Sequence, residues 1–172
     1  MTGNGKGRRT SLIVFGGVTL AVAGFFSLEF LMAPRTSRAD WPAEFQSNGE
    51  RVYFTGVSVS GQPIRAIGGD RGMMMMGGNA CVACHGADQE GGRLRPSYWT
   101  VVPAITAEAL TGEHGDTDDH AHAAYTRESL AEAITRGVRP DGSEIGPRMP
   151  RWAMSPEDIS DLVAYILPGD GG

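Results

Sequence analysis

Cysteine and aromatic residues are scarce in this sequence of 172 residues, which contains two cysteines and 8% Phe, Trp and Tyr. The cysteines, Cys81 and Cys84, lie only three positions apart, and so short a loop cannot serve as a disulfide framework. With 25 glycines beside few aromatic residues, the composition indicates many turns around a small apolar core. The length suits about one domain plus a short additional segment.

Basic residues are also scarce after the first 39 positions. The formal net charge is −5, yet residues 1–39 hold five basic residues against a single acid, Glu29. The five are Lys6, Arg8, Arg9, Arg35 and Arg38. The remainder is strongly acidic, which argues against nucleic acid as a partner, because nucleic-acid binding depends on a basic surface. A partner with a basic docking patch suits such a chain.

An apolar run extends over residues 11–33, interrupted only by Glu29. As a helix rising about 1.5 Å per residue it would be roughly 35 Å long, enough to span a hydrocarbon core of about 30 Å. Three basic residues precede it and predict a cytoplasmic N-terminus over 1–10. We therefore predict a single anchor in membrane lipid, a linker over 34–41, and an exported domain on the periplasmic side of a bacterial cytoplasmic membrane.

A cleaved signal peptide is the alternative to this anchor. The tripeptide Ser37-Arg38-Ala39 places small residues where a signal peptidase cleaves. The apolar core of a signal peptide is about 7 to 15 residues long, and the run here is longer. The length favours the anchor, while cleavage near Asp40 stays open.

The two cysteines belong to the run Cys81-Val82-Ala83-Cys84-His85. This C-x-x-C-H pattern is the signature of covalent haem attachment: two thiols at this spacing reach the two vinyl groups of one haem, and the adjacent histidine stands beneath the iron. A redox-active pair or half of a zinc site are the alternatives. Because the chain has no other cysteine to complete a zinc site, we predict one haem c, with Cys81 and Cys84 attaching it and His85 binding iron.

A sixth iron ligand decides what such a haem does. An open position binds gases or peroxide, whereas a closed one favours electron transfer. Met149 is the favoured ligand, because it lies well downstream, is followed by Pro150, and sits in a loop before the last predicted helix. Met154 and the run Met73–Met76 are rivals. Arg148, Arg151 and Trp152 flank Met149 and suit either haem propionates or a docking face.

Four segments carry patterns of secondary structure. A first helix is predicted over 42–55, a small hairpin within 56–78, a helix over 126–136 and a closing helix that begins after Ser155. Thr126 and Ser155 are the predicted N-caps, Pro156 occupies the first helical position, and Gly137 and Pro168-Gly169 are the predicted stops.

Residues 112–124 form an acidic insertion that includes His114, His120 and His122 among several aspartates. Their spacing matches no zinc or calcium motif. A solvated loop is therefore favoured, and metal binding is the alternative.

The exported part resembles class I cytochrome c from Phe45 to Leu167. The resemblance is carried by Gly49-Glu50-Arg51-Val52-Tyr53, Cys81 to Gly86, Val102-Pro103-Ala104-Ile105, Met149-Pro150 and the closing helix with Tyr165. It implies an all-α class I cytochrome c fold around one covalent haem, over residues 42–168 with a tail at 169–172, whose first and last helices cross near the attachment site. It also implies that Met149 is the axial ligand and that the Pro103 carbonyl accepts a hydrogen bond from His85, which fixes the imidazole.

The arrangement of anchor and domain is similar to cytochromes c that accompany bacterial haem-copper oxidases. It implies an electron carrier rather than an enzyme, acting alone or as a subunit of an oxidoreductase complex. The implied partner is a membrane respiratory complex, either a terminal oxidase or a quinol-oxidising complex. A five-coordinate haem protein that binds gas or peroxide, and a metal-binding accessory of oxidase assembly, are the alternatives.

Truncation before Asp40 should release a soluble domain that is still red, because the predicted haem ligands all lie downstream of the anchor. Fractionation and visible spectra check this expectation: the intact chain should sediment with membranes and the truncated chain should not. A mature protein whose N-terminus already lies near Asp40 would show that the anchor prediction is wrong.

Overall fold

The computed structural model describes residues 41–69, 80–94, 99–112 and 123–169. These contain five helices: α1 Asn48–Thr55, α2 Val82–His85, α3 Ala107–Thr111, α4 Arg127–Thr135 and α5 Pro156–Ile166. They also contain four short strands: β1 Arg65–Ile67, β2 Gly92–Arg93, β3 Val101–Val102 and β4 Arg151–Ala153. None of these helices is long and apolar enough to cross a membrane. The predicted anchor at 11–33, the run Met73–Met76 and the histidines of the acidic insertion lie outside the described residues.

The predicted ends of α4 and α5 are confirmed. The Thr126 hydroxyl accepts a hydrogen bond from the Ser129 N–H at 3.2 Å, and the Ser155 hydroxyl accepts one from the Asp158 N–H at 3.1 Å. Each cap satisfies a backbone donor that the helix itself leaves unpaired. Gly137, with φ of 71°, follows α4 as the predicted stop, and Pro156 begins α5.

The first helix is shorter than predicted. It begins at Asn48 rather than at residue 42, because the Ser47 hydroxyl accepts the Glu50 N–H at 3.0 Å and caps the helix there. Its end before Gly56, which has φ of 67°, agrees with the prediction.

The described residues are mainly helical, as expected, but they also include two short antiparallel strand pairs that the sequence analysis does not predict. Strand β1 pairs with β4, and β2 pairs with β3. Within 56–69, the predicted local hairpin is reduced to one bridge between Val57 and Pro63. Buried backbone N–H and C=O groups outside helices still need hydrogen-bond partners. In this fold, loops that are distant in sequence provide these partners by pairing as short strands.

Helices α1 and α5 cross at Gly49, and this crossing forms the centre of the core. Val52, Tyr53 and Leu162 are fully buried beside it. A Cβ at Gly49 would lie 1.9 Å from the Asp161 carbonyl oxygen, so only glycine permits the helices to approach this closely. The first and last helices therefore cross as the resemblance implies.

A buried carboxylate stabilises this crossing beside Gly49. Asp158 on α5 accepts hydrogen bonds from Ser58 at 2.6 Å, Asn48 at 2.9 Å and Ser155 at 2.9 Å. Burial alone would raise the pKa of Asp158, but hydrogen bonds from these three side chains outweigh it and hold the pKa below its usual value. The carboxylate therefore stays ionised at neutral pH and links α1, α5 and the turn after α1.

Gly49→Ala should destabilise the protein. Alanine is normally favoured over glycine within a helix by about 1 kcal/mol, but the added methyl meets the backbone of α5 and overpacking costs about 1–3 kcal/mol or more. Denaturant unfolding of the haem-loaded protein, followed by circular dichroism, measures the difference in the free energy of unfolding.

Gly146→Ala is the matched control, because a Cβ at Gly146 meets nothing within 4 Å. We expect its free energy of unfolding to lie within about 0.5 kcal/mol of the parent. A Gly49→Ala protein as stable as this control would contradict the tight crossing.

Candidate functional site

The one-turn helix α2 brings the residues of the C-x-x-C-H motif together. The carbonyl oxygen of Cys81 accepts hydrogen bonds from the N–H groups of Cys84 at 3.2 Å and His85 at 3.0 Å. Residues three apart in a helical turn lie on the same face, so both thiols are presented on one side. Val82 is 2% exposed and fixes the turn in the core.

Both thiols are free and partly buried. Burial raises the pKa of Cys81 to about 12, and it also raises the pKa of Cys84. Thiols of this kind stay protonated at neutral pH, which disfavours a reactive redox pair, since such a pair uses a thiolate. Within the described ranges, moreover, no three His, Cys, Asp or Glu side chains are grouped to hold a metal ion.

His85 presents a neutral imidazole. Burial lowers its pKa to about 4, although its hydrogen bond to Pro103 acts in the opposite direction. Nδ1 lies 3.2 Å from the Pro103 carbonyl oxygen, so in the neutral ring the Nδ1–H donates to that oxygen and Nε2 keeps the lone pair. The expected contact between His85 and Pro103 is present, and it orients the ring for binding a metal through Nε2.

Gly91 determines where the Pro103 carbonyl lies. Its N–H donates to the His85 carbonyl oxygen at 2.9 Å, and its φ is +58°. A Cβ at this position would lie 2.4 Å from the carbonyl oxygens of both Val102 and Pro103. Only glycine allows the loop after His85 to pack this closely on the segment that carries Pro103.

Tyr53 also supports the turn that follows His85. Its hydroxyl, fully buried, donates to the Gly86 carbonyl oxygen at 2.6 Å. Burial raises the pKa of Tyr53 above its ordinary value, so the hydroxyl remains a donor. The ring packs on Tyr165 of α5 with centroids 5.4 Å apart. Sequence reasoning placed Tyr53 in the first helix but missed this role, which no local pattern signals.

Met149 is partly buried and packs against the hydrophobic core. Its loop is held by Arg151, whose Nη1 donates to the Met149 carbonyl oxygen at 2.9 Å and whose Nη2 donates to that of Ile145 at 2.7 Å. Gly137 makes room for the guanidinium, because a Cβ there would lie 1.8 Å from Cζ of Arg151. Arg151 therefore shapes the loop, while the role of Met149 as an iron ligand stays a prediction.

The loop with Met149 is joined to the segment that leads to Pro103. The Arg148 guanidinium donates to the hydroxyl of Thr100, which is 7% exposed. Trp152, also 7% exposed, packs in the core and not on the surface. Met154, the rival to Met149, is partly buried just before the Ser155 cap.

Comparisons with known proteins agree with this geometry. The sequence model of the cytochrome c family matches residues 69–169, which is more than half of the chain. The fructose dehydrogenase cytochrome subunit of Gluconobacter japonicus is 29% identical over 90 residues, which cover 51% of this chain and 18% of that protein. The match thus spans less than a fifth of that relative's length. No solved structure matches the chain significantly.

Gly91→Ala should raise the reduction potential of the haem. The methyl group would displace the Pro103 carbonyl and weaken its hydrogen bond to His85, so that the imidazole becomes a poorer donor and the ferric state loses more than the ferrous state. A tenfold change in relative binding corresponds to about 59 mV for a one-electron couple, and we expect a shift of that order in potentiometric titrations.

Gly61→Ala separates this effect from backbone strain. Gly61 also has positive φ, +81°, but a Cβ there meets nothing within 4 Å. Its potential should remain that of the parent. Equal potentials in the two variants would show that the Pro103 carbonyl does not act through His85.

The site residues fit haem c on structural grounds. Two thiols lie one helical turn apart, and a neutral imidazole beside them keeps Nε2 available. When bound, haem supplies an iron that changes oxidation state by one electron. Since the family match also covers residues 69–169, the chain belongs to the cytochrome c family, in class I, and is an electron-transfer protein that carries covalently attached haem c.

Proposed function

We propose that this protein is a membrane-anchored, monohaem electron carrier in which His85 and Met149 bind iron from opposite sides. The observation that carries this proposal is the buried, neutral His85, whose Nδ1 is committed to Pro103 at 3.2 Å. A ring fixed in this way is a permanent ligand rather than a group that exchanges protons or binds substrate. With both axial positions closed, the iron exchanges electrons without binding a substrate.

The surroundings of Met149 support its role as the second ligand. Arg151 holds the loop through two backbone carbonyl groups, and Arg148 ties it to Thr100 near Pro103. These contacts limit how far Met149 moves when the oxidation state changes. Methionine with histidine also raises the reduction potential, which suits a carrier that receives electrons from a dehydrogenase or quinol and passes them to an oxidase.

The partner is a membrane redox complex. One class of partner is suggested by the relative named as a cytochrome subunit of fructose dehydrogenase, which points to a dehydrogenase as electron donor. The other is suggested by the resemblance to cytochromes c that accompany haem-copper oxidases, which points to an oxidase or a quinol-oxidising complex. The single C-x-x-C-H motif limits this chain to one electron at a time.

We place the cytochrome domain on the extracytoplasmic side of a bacterial cytoplasmic membrane, held by residues 11–33. The apolar run and the basic residues before it support this placement. An anchor would confine the protein to the membrane plane, close to its partner. Purification through the intact N-terminal segment in mild detergent, followed by identification of co-purified redox proteins, tests both the anchor and the class of partner.

Met149→Leu and Met154→Leu form a matched pair for testing the iron ligand. Leucine replaces methionine at nearly constant volume but offers no sulfur. We expect Met149→Leu to lose the sulfur-to-iron charge-transfer band of the oxidised protein, and its reduced form to bind carbon monoxide at neutral pH. The parent and Met154→Leu should keep the band and exclude carbon monoxide.

Two outcomes would contradict the proposal. Ready binding of carbon monoxide by the parent protein would indicate a five-coordinate haem and a gas- or peroxide-binding function. Loss of the band in Met154→Leu, with unchanged spectra in Met149→Leu, would move the ligand to Met154.

A further inference from the structure

Two large apolar side chains project into solvent from strand β3 and its approach. Trp99 is 75% exposed and Val101 is 58% exposed, while Thr100 between them is 7% exposed. This alternation is that of an extended segment with one face buried. Isolated apolar residues on a surface need no explanation, but an exposed tryptophan beside an exposed valine forms the kind of anchor that protein interfaces use.

The position of this pair relative to the predicted ligands is informative. The β2–β3 hairpin starts directly after Gly91, which contacts the carbonyl groups of His85, Val102 and Pro103. Thr100 receives a hydrogen bond from Arg148 of the Met149 loop. The exposed pair therefore lies where the segments that carry both predicted iron ligands meet, and electron transfer falls off steeply with distance from the haem.

Two exposed arginines lie close to this pair. The described residues of the hairpin and the Met149 loop, 91–94, 99–105 and 145–154, contain three arginines, and exposed glutamates border them at Glu90 and Glu144. Arg93 is exposed and lies directly opposite Val101 in the β2–β3 register, and Arg148 is exposed as well. Arg93 thus adjoins the apolar pair across the strands, and Arg148 is held at Thr100 between its two members, on a protein whose net charge is −5.

We infer that Trp99 and Val101, with Arg93 and Arg148 at their edge, form the docking face for the redox partner. This inference rests on the proposed function and specifies the partner's surface: an apolar spot surrounded by carboxylates. Burial of the tryptophan and valine supplies affinity, and the arginines steer and orient the encounter.

Another exposed apolar residue provides a control. Val59 is 75% exposed, like Trp99, but it lies beside a groove whose lining includes Glu157, Asp158 and Asp161. Arg136, exposed on α4 and paired with Glu132 at 3.1 Å, matches Arg93 in charge but lies outside the two segments.

The test follows oxidation of the reduced, haem-loaded protein by stopped-flow. The oxidants are ferricyanide, an anion; tris(1,10-phenanthroline)cobalt(III), a cation; and washed membranes from the source bacterium, which hold the native acceptor. The variants are Trp99→Ser/Val101→Ser and Arg93→Glu, and their controls are Val59→Ser and Arg136→Glu. All the substituted side chains are exposed, and spectra and potentials identical to those of the parent verify that the haem site is intact.

We expect Trp99→Ser/Val101→Ser to slow oxidation by membranes at least tenfold while leaving the ferricyanide rate within twofold. Arg93→Glu should slow oxidation by ferricyanide severalfold and accelerate oxidation by tris(1,10-phenanthroline)cobalt(III) at low ionic strength, and both effects should vanish in high salt. Val59→Ser should leave all three rates unchanged, and Arg136→Glu should alter them less than Arg93→Glu does.

Three results would overturn the inference. One is an unchanged membrane rate in both test variants; the second is an equal loss in the controls. The third is binding of the parent to vesicles of anionic phospholipid that Trp99→Ser/Val101→Ser abolishes, which would make the surface a membrane contact. Failure of the proposed function itself is distinguishable, because ready carbon monoxide binding or absence of any electron transfer to membranes would appear already in the parent protein.

Discussion

The hydrogen bond from His85 to the Pro103 carbonyl is the contact on which the rest of the site depends. An imidazole can bind iron in a fixed orientation only if its other nitrogen has a partner. That partner is a backbone oxygen, so its position is set by the fold and not by a rotamer. Gly91 allows the two backbones to approach, and Tyr53 holds the following turn through Gly86. A core tyrosine and a loop glycine thereby control the chemistry of a histidine.

Two buried ionisable groups show how the number of partners decides the charge of a side chain. His85 has one hydrogen bond, which is too little to offset burial, so its pKa falls and the ring stays neutral. Asp158 has three side-chain donors, which together outweigh burial, so its pKa falls as well and the carboxylate stays charged. The same physics yields a neutral imidazole at His85 and a charged carboxylate at Asp158.

Those parts of the protein that depend on neighbouring residues were predictable from the sequence. The caps Thr126 and Ser155 act over three residues, and the motif from Cys81 to His85 acts within one turn, so spacing alone reveals them. The predicted start of α1 at residue 42 is wrong, because the actual cap, Ser47, lies inside a stretch whose apolar and acidic residues are also compatible with a helix. The pairing of β1 with β4 joins segments more than 80 residues apart, and no local periodicity encodes such a contact.

The distinction between local and distant contacts also applies to Arg148 and Arg151, the two arginines beside Met149. From the sequence, Arg148 and Arg151 were equivalent neighbours of Met149, suited to propionates or to a docking face. In the structure the two side chains have different partners. The Arg151 guanidinium donates hydrogen bonds to two backbone carbonyl groups of its own loop, whereas the Arg148 guanidinium donates to the hydroxyl of Thr100. Their different roles follow from Gly137, whose missing side chain admits Arg151 into the loop. Such space is visible only once the chain is folded.

The net charge of the chain and the charges near the inferred docking face suggest different kinds of partner. An acidic chain suggests a partner with a basic patch, but binding is decided by the charges that lie near the interface, since those beyond a Debye length of about 8 Å are screened at physiological salt. In the described residues of the β2–β3 hairpin and the Met149 loop those charges are arginines. On the docking face inferred above, the surplus of acid elsewhere therefore has little influence at physiological salt. Steering by the arginines is a short-range effect that acts during the final approach of an acidic surface.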